Sequence, residues 1–374
     1  MDELNSMINL NDNDNLANKQ NKININNNVF EKNIKLRIYY FDILRIISSF
    51  SVILIHISGE YYLNLNINDP NWKIAFYYNG IARVGLQIFF MISGALFLSK
   101  EITLNIIITK YIKRILIHLI IWSFIYSIYD IDLSNKININ KIIIKFFNGH
   151  YHLWYLYSTI ELYIISPFLR EVIKKDLLKD FLKLSFIFTF IFQTLNDLNP
   201  YYPKIISEIV QIICKKLNLI KIKGNIFYFA FGYYIQKKKK IGLYNRILIY
   251  FLGLLGIIFT TIISYNICII KQQKIDIFFN VSKLNILIYS FSVFVLLKEN
   301  CNNLNRKFFK ILSNYTFGIY LIHPLIIHNI RTEKDYFSFI ILLFKIPLKS
   351  LIVFLLSLNS KFYHKVLLDN YKDF

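Results

Sequence analysis

Apolar runs of membrane-spanning length recur along this 374-residue chain from residue 38 to residue 358. The hydrocarbon core of a bilayer takes about 20 helical residues to cross, and the runs cluster near that length. They read as 38–58, 74–98, 115–129, 152–169, 181–195, 225–236, 246–270, 285–297, 311–330 and 336–358. A soluble chain of this size would instead alternate apolar and polar faces at helical or strand period. In lipid, each segment must satisfy its own backbone polar groups, which an α-helix does. The expected fold is therefore all-α, a polytopic integral membrane bundle of about ten transmembrane helices.

Charge placement sets the expected orientation. The formal net charge is +21, which would suit a nucleic-acid partner if it formed a basic domain with stacking aromatics. It does not, because the charges sit between apolar spans. Alternate inter-span segments, taken with the adjoining span edges, hold 26 Lys and Arg against 14 in the others. Arg45, Arg83, Lys345 and Lys349 lie deeper. The richer set, led by Lys237-Lys-Lys-Lys240, is expected in the cytoplasm together with both termini, in a plasma membrane protein. Residues 1–37 are Asn-rich and aperiodic, as in a disordered tail, and 359–374 read as a short second tail. Residues 130–151 and 196–224 read as loops on the opposite side, the latter with a short amphipathic helix over 205–219. Cys214, Cys268 and Cys301 show no CxxC and no metal-ligand spacing, so no metal is expected.

Within the first span, Arg45 and His56 are eleven residues apart. Eleven steps of about 100° return a helix to within roughly 20° of its start, so both lie on one face about 16 Å apart along the axis. Asp42 stands one turn before Arg45 and can pair with it. Ionisable groups inside a membrane span mark a working interior. His56 suits a general base, and Arg45 suits an anionic substrate. Arg83 lies nine residues into the second span with no acidic neighbour in sequence, so it must meet a polar cavity, an anion or a carboxylate from another helix.

Asp42-Ile-Leu-Arg45, ten residues, then His56 resembles the opening motif of the integral-membrane acyltransferase 3 family. Arg83-Val-Gly-Leu-Gln-Ile-Phe-Phe-Met-Ile-Ser-Gly94 is similar to its second-helix signature, with Gln87 where members commonly carry Pro or Asp. His152-Leu-Trp154-Tyr-Leu-Tyr157, followed by Glu161, Tyr163 and Pro167, resembles its Leu-Trp-led segment, and Asn314 to His323-Pro324 is family-like too. Thr159 and Ile160 replace the acidic residues of members with an appended esterase-like domain, which points to the stand-alone branch.

The resemblance implies transfer of an acyl group, acetyl above all, from acyl-CoA to a hydroxyl of a cell-surface glycan or lipid-linked sugar. Acyl-CoA is then a donor substrate and no cofactor is permanently bound. His56 and Arg45 are the expected catalytic pair, with Arg83, His152, Trp154 and His323 at the substrate. Lys113 and Arg114, beside Lys110, either clamp the phosphates of coenzyme A or anchor the span. Trp154 also fits an interfacial aromatic belt. His323 can equally bond a carbonyl freed by Pro324, which lacks an N–H. Two rivals stay open: a glycan transporter or flippase whose pathway these polar groups line, and a succinyltransferase of the same fold.

Overall fold

The structure is a computed structural model, and it describes residues 37–129, 139–197, 202–217, 224–301, 307–330 and 339–359. The expected tails therefore lie outside the described residues, apart from residues 37 and 359. Helices dominate, and no strand occurs among the described residues. All ten apolar segments carry helix. Among the described residues, five stretches are long and apolar enough to cross a membrane: Tyr39–Asn64, Pro70–Phe97, Leu243–Lys271, Ile277–Asn300 and Ile341–Leu358.

The expected count of about ten crossings is thus met at five on length and composition. The others fall short in length, in apolarity or through their charges. The helix Gly224–Lys237 has 14 residues, and Trp154–Lys174 contains Glu161, Arg170, Glu171 and Lys174.

The helix α1 (Tyr39–Asn64) lies between two apolar clusters. Ile53, Leu54 and Ile57 pack with Trp72 and Phe76 of α2 (Pro70–Ala82), and with Phe279, Ile346 and Val353. Val52 joins a second cluster with Leu119, Trp122 and Tyr126 of α4 (Lys113–Tyr129), and with Leu156 and Tyr320. The helix α3 (Val84–Phe97) follows α2 directly, with Arg83 at the junction. There the Arg83 N–H donates to Gly80 O at 3.3 Å, a tighter turn than the α-helical one. Gly85 lets α3 press onto α1, since a Cβ there would stand 2.9 Å from Ser48 O.

Lipid offers no hydrophobic drive between helices, so close packing of small residues has to hold such a bundle. The contact of α3 with Gly224–Lys237 shows this directly. A Cβ at Gly94 would overlap Phe229 O, and one at Gly232 would overlap Met91 O.

Two segments read as loops contain helix. The amphipathic helix expected over 205–219 is present as Lys204–Leu217, with Ile205, Ile206, Ile209, Ile212 and Ile213 exposed. The other, α5 (Ile139–Asn148), was not expected. Ten residues are too few for a span, but Ile139, Ile143, Ile144 and Phe147 recur at helical spacing and stay exposed. The third apolar segment also begins earlier than 115. Helix starts at Leu104, and a π-turn over Ile107–Ile112 leads into α4.

Candidate active site

Arg45 and His56 rise from α1 as the period requires, and each meets a different environment. Arg45 Nη1 lies 3.3 Å from Asp42 Oδ1, so the expected pair across one turn is present. Asp42 is buried and also accepts a 2.7 Å hydrogen bond from Ser313 Oγ of α14 (Lys307–Asn329). The charge of Arg45 reaches Tyr155 and Tyr163 of α6 (Trp154–Lys174), and Arg114 reaches Tyr163 from α4. Two cations thus flank one row of tyrosines. Lys113 does not join them, since it is exposed.

At the other end of α1, His56 enters a cluster of rings. His323 stacks on it with centroids 5.1 Å apart and planes 30° apart. His152 meets His323 edge-on at 5.3 Å, and the Nδ1 atoms of His150 and His152 share a hydrogen bond. Tyr151 lies 5.2 Å from His56. Four histidines from three parts of the chain thereby form one group, with His152 and His323 fully buried. Among the described residues, no three His, Cys, Asp or Glu side chains are arranged to hold a metal ion.

Pro324 explains how α14 presents its histidine. Without an N–H, Pro324 leaves the carbonyl four residues earlier, Tyr320 O, without its helical donor. The His323 Nδ1–H donates to that oxygen at 2.7 Å. A carbonyl only accepts, so the proton of neutral His323 resides on Nδ1 and Nε2 is bare. The next carbonyl, Leu321 O, accepts from the Tyr126 hydroxyl at 2.7 Å. Tyr126 then stacks on His150 at 4.1 Å, and the Tyr320 hydroxyl donates to His152 O. Carbonyls beside Pro324 thus take donors from His323 and from Tyr126 of α4, and Tyr320 reaches the segment just before α6. His323 caps the freed carbonyl and also stacks on His56.

Arg83 approaches this cluster from the α2–α3 junction, and its charge reaches His56. Asn79 Oδ1 accepts from Arg83 Nε at 3.0 Å and from Nη2. The Asn79 amide donates to Ile55 O at 2.9 Å and to Ser58 Oγ at 3.1 Å. Phe279 lies under the guanidinium, 4.7 Å from ring centroid to carbon. No ion-pair partner of Arg83 occurs among the described residues. The cation is oriented by an amide and a ring, and the carboxylate that acts on it, Asp276, does so without a direct ion pair.

His56, Arg83, His152 and His323 therefore come together, whereas Arg45 and Arg114 form a separate group further along α1. Trp154 is 41% exposed and stands beside Phe90 at 6.4 Å. That placement favours the interfacial alternative for Trp154. Sequence reading assigned no role to Asn79, Tyr126, His150 or Tyr320. Asn79 left one signal, since it stands four residues before Arg83 in an apolar span and can share its face.

A polar groove of about 380 Å³ opens further along α1, lined by Asn64, Leu65, Asn66, Ile67, Gln272 and Lys274. It contains none of the histidines.

A family model described as an acyltransferase domain, that of the acyltransferase 3 family, matches residues 38–358. No curated protein and no solved structure gives a significant match.

Proposed function

The chain belongs to the acyltransferase 3 family, and from that premise we propose that it is a membrane O-acyltransferase using acyl-CoA. Acetyl is the favoured acyl group, and the acceptor is a hydroxyl of a cell-surface glycan or lipid-linked sugar. One observation carries the reading. The charge of Arg83 reaches His56, and no carboxylate pairs directly with that guanidinium among the described residues, the nearby Asp276 acting on it only at a distance.

A sugar hydroxyl is a poor nucleophile at neutral pH, and a neutral imidazole within reach can take its proton as the oxygen attacks. His56 fills that role. The attacked thioester carbonyl gains negative charge, which a pre-oriented guanidinium stabilises. Arg83 fits this part because Asn79 and Phe279 fix its plane without cancelling its charge. The carbon–sulfur bond then breaks, the acyl group stays on the sugar oxygen, and the thiolate takes a proton from water at the donor end.

Arg45 and Arg114, about 16 Å along α1 from His56, suit the phosphates of coenzyme A. The thioester arm would run past Tyr163 and Tyr155 towards His56. The Lys and Arg asymmetry supports an arrangement in a plasma membrane with the Arg45 end of α1 towards the cytoplasm and the His56 end towards the outside. The groove at Asn64 and Gln272, roughly 12 Å beyond His56, offers amides and a lysine to a second sugar ring of the acceptor.

Mass spectrometry of surface glycans tests this. A strain lacking the protein should lose an acyl substituent, and re-expression should restore it. Unchanged glycans together with a transport defect would favour the flippase reading.

A further inference from the structure

Four observations around His56 go beyond proton abstraction. His323 and His152 are fully buried, and their Nε2 atoms have no hydrogen-bond partner among the described residues. Consecutive rings from His56 to His323, His152 and His150 stand 5.1, 5.3 and 4.7 Å apart. His150 and His152 already share a proton between their Nδ1 atoms. The series ends at Tyr151, which is 60% exposed. An unpaired buried nitrogen forfeits the bonds it made to water, so two of them in one row call for an explanation.

We propose that His56, His323, His152 and His150 form a proton relay that carries the hydroxyl proton away from the reacting centre to water beside Tyr151. This rests on the reading of His56 as the base. The need for the relay follows from the geometry of that reading. His56 is half-buried, and the acceptor must occupy its open side to present a hydroxyl. Until the ester product leaves, the protonated ring has only the histidine side through which to discharge.

The steps balance. The hydroxyl O–H breaks and His56 gains the proton. His323 Nε2 is the only bare nitrogen of that ring, because Nδ1 is committed to Tyr320 O, and it has no hydrogen-bond partner at rest, so a turn of the stacked rings brings it to His56 to take the proton. A second turn hands the proton to His152, whose Nε2 is likewise unpartnered at rest. His152 takes a proton at one nitrogen and yields one at the other, which the bridge to His150 permits. His150 releases a proton to water. Each ring gains and loses one proton, and no bond other than N–H and O–H changes. Arg83 faces His56 at the start of the series and disfavours a lasting second cation there. Tyr126, stacked on His150, and Tyr320, bonded to His152 O, hold the later rings in line.

His150→Phe is the discriminating variant, since it keeps an aromatic ring against Tyr126 and removes both nitrogens. The assay follows radiolabelled acetyl from acetyl-CoA into the endogenous glycan of membrane vesicles that carry the full chain. Turnover at saturating acetyl-CoA should fall about tenfold or more with KM for acetyl-CoA unchanged. Added imidazole should restore at least half of the loss, which also shows that the variant is folded. Wild-type turnover, a loss accompanied by a raised KM, or a loss that imidazole leaves untouched would each overturn the relay. His56→Ala run alongside separates the two ideas. An inactive His56→Ala with a normal His150→Phe breaks the relay alone, whereas an active His56→Ala breaks the base assignment beneath it.

Discussion

The two ends of α1 hold their cations in opposite ways. At one end Arg45 leans on Asp42, which is itself tied to Ser313, so charge is met by charge. At the other end Arg83 is met by the amide of Asn79 and the face of Phe279, neither of which neutralises it. An ion pair lowers what a bound anion can gain. A dipole and a ring orient the guanidinium without a direct ion pair, which leaves it available to a charge that develops during reaction. The Arg83 end is therefore suited to a transient oxyanion, while the Arg45 end has a second cation, Arg114, to add for a standing anion such as a phosphate.

Substitutions sharpen this contrast. Arg83→Met should have the larger effect. Removing one oxyanion donor costs about 10²- to 10³-fold in turnover, with the KM for acetyl-CoA little changed. A raised KM with normal turnover would instead make Arg83 a phosphate ligand like Arg45. Asn79→Asp is subtler, since it keeps the acceptor and adds a carboxylate. If the lack of a direct ion pair is what matters, turnover should fall roughly tenfold or more while the protein melts no earlier than wild type. Normal turnover would show that orientation alone suffices.

At the other end, Arg45→Lys keeps the charge and loses the planar fork. It should raise the KM for acetyl-CoA several-fold, of the order of 1 kcal/mol in binding, and leave turnover within about twofold. A loss confined to turnover would move Arg45 into the chemistry. The smallest change is expected from Pro324→Ala. The restored N–H would compete for Tyr320 O and loosen His323, lowering turnover a few-fold while the helix itself gains a bond. Unchanged turnover would mean that the freed carbonyl is not what holds His323 in place.

These contrasts were only partly legible in the sequence. The helical period alone aligned Arg45 with His56, and the single turn between Asp42 and Arg45 foretold their pair. The ten apolar segments marked helix correctly because apolar runs in lipid leave little alternative. Hydropathy did not tell which of them are long enough to cross. It also hid α5, a ten-residue helix whose apolar face stays exposed.

The histidine cluster was harder to foresee. Residues 150 and 152 are about a hundred positions from His56, and His323 is still further. Only the packing of α1, α4, α6 and α14 brings them together. Pro324 signalled a freed carbonyl, yet nothing local showed that the same side chain would both cap it and stack on His56. Lys113 and Trp154 drew attention through residue type and motif, but both side chains are exposed, and helix rotation relative to neighbours is set by tertiary contacts that no local pattern records.

The central claim is that His56 takes the proton of the acceptor hydroxyl, and one measurement addresses it directly. Transfer of radiolabelled acetyl from acetyl-CoA to glycan is compared between wild type and His56→Ala inserted at equal amounts in membranes. Loss of a general base typically costs about 10²- to 10⁴-fold, so the variant should transfer almost nothing. His56→Gln should do little better, because it can hydrogen-bond but cannot accept the proton. Normal transfer by a well-inserted His56→Ala would contradict the account.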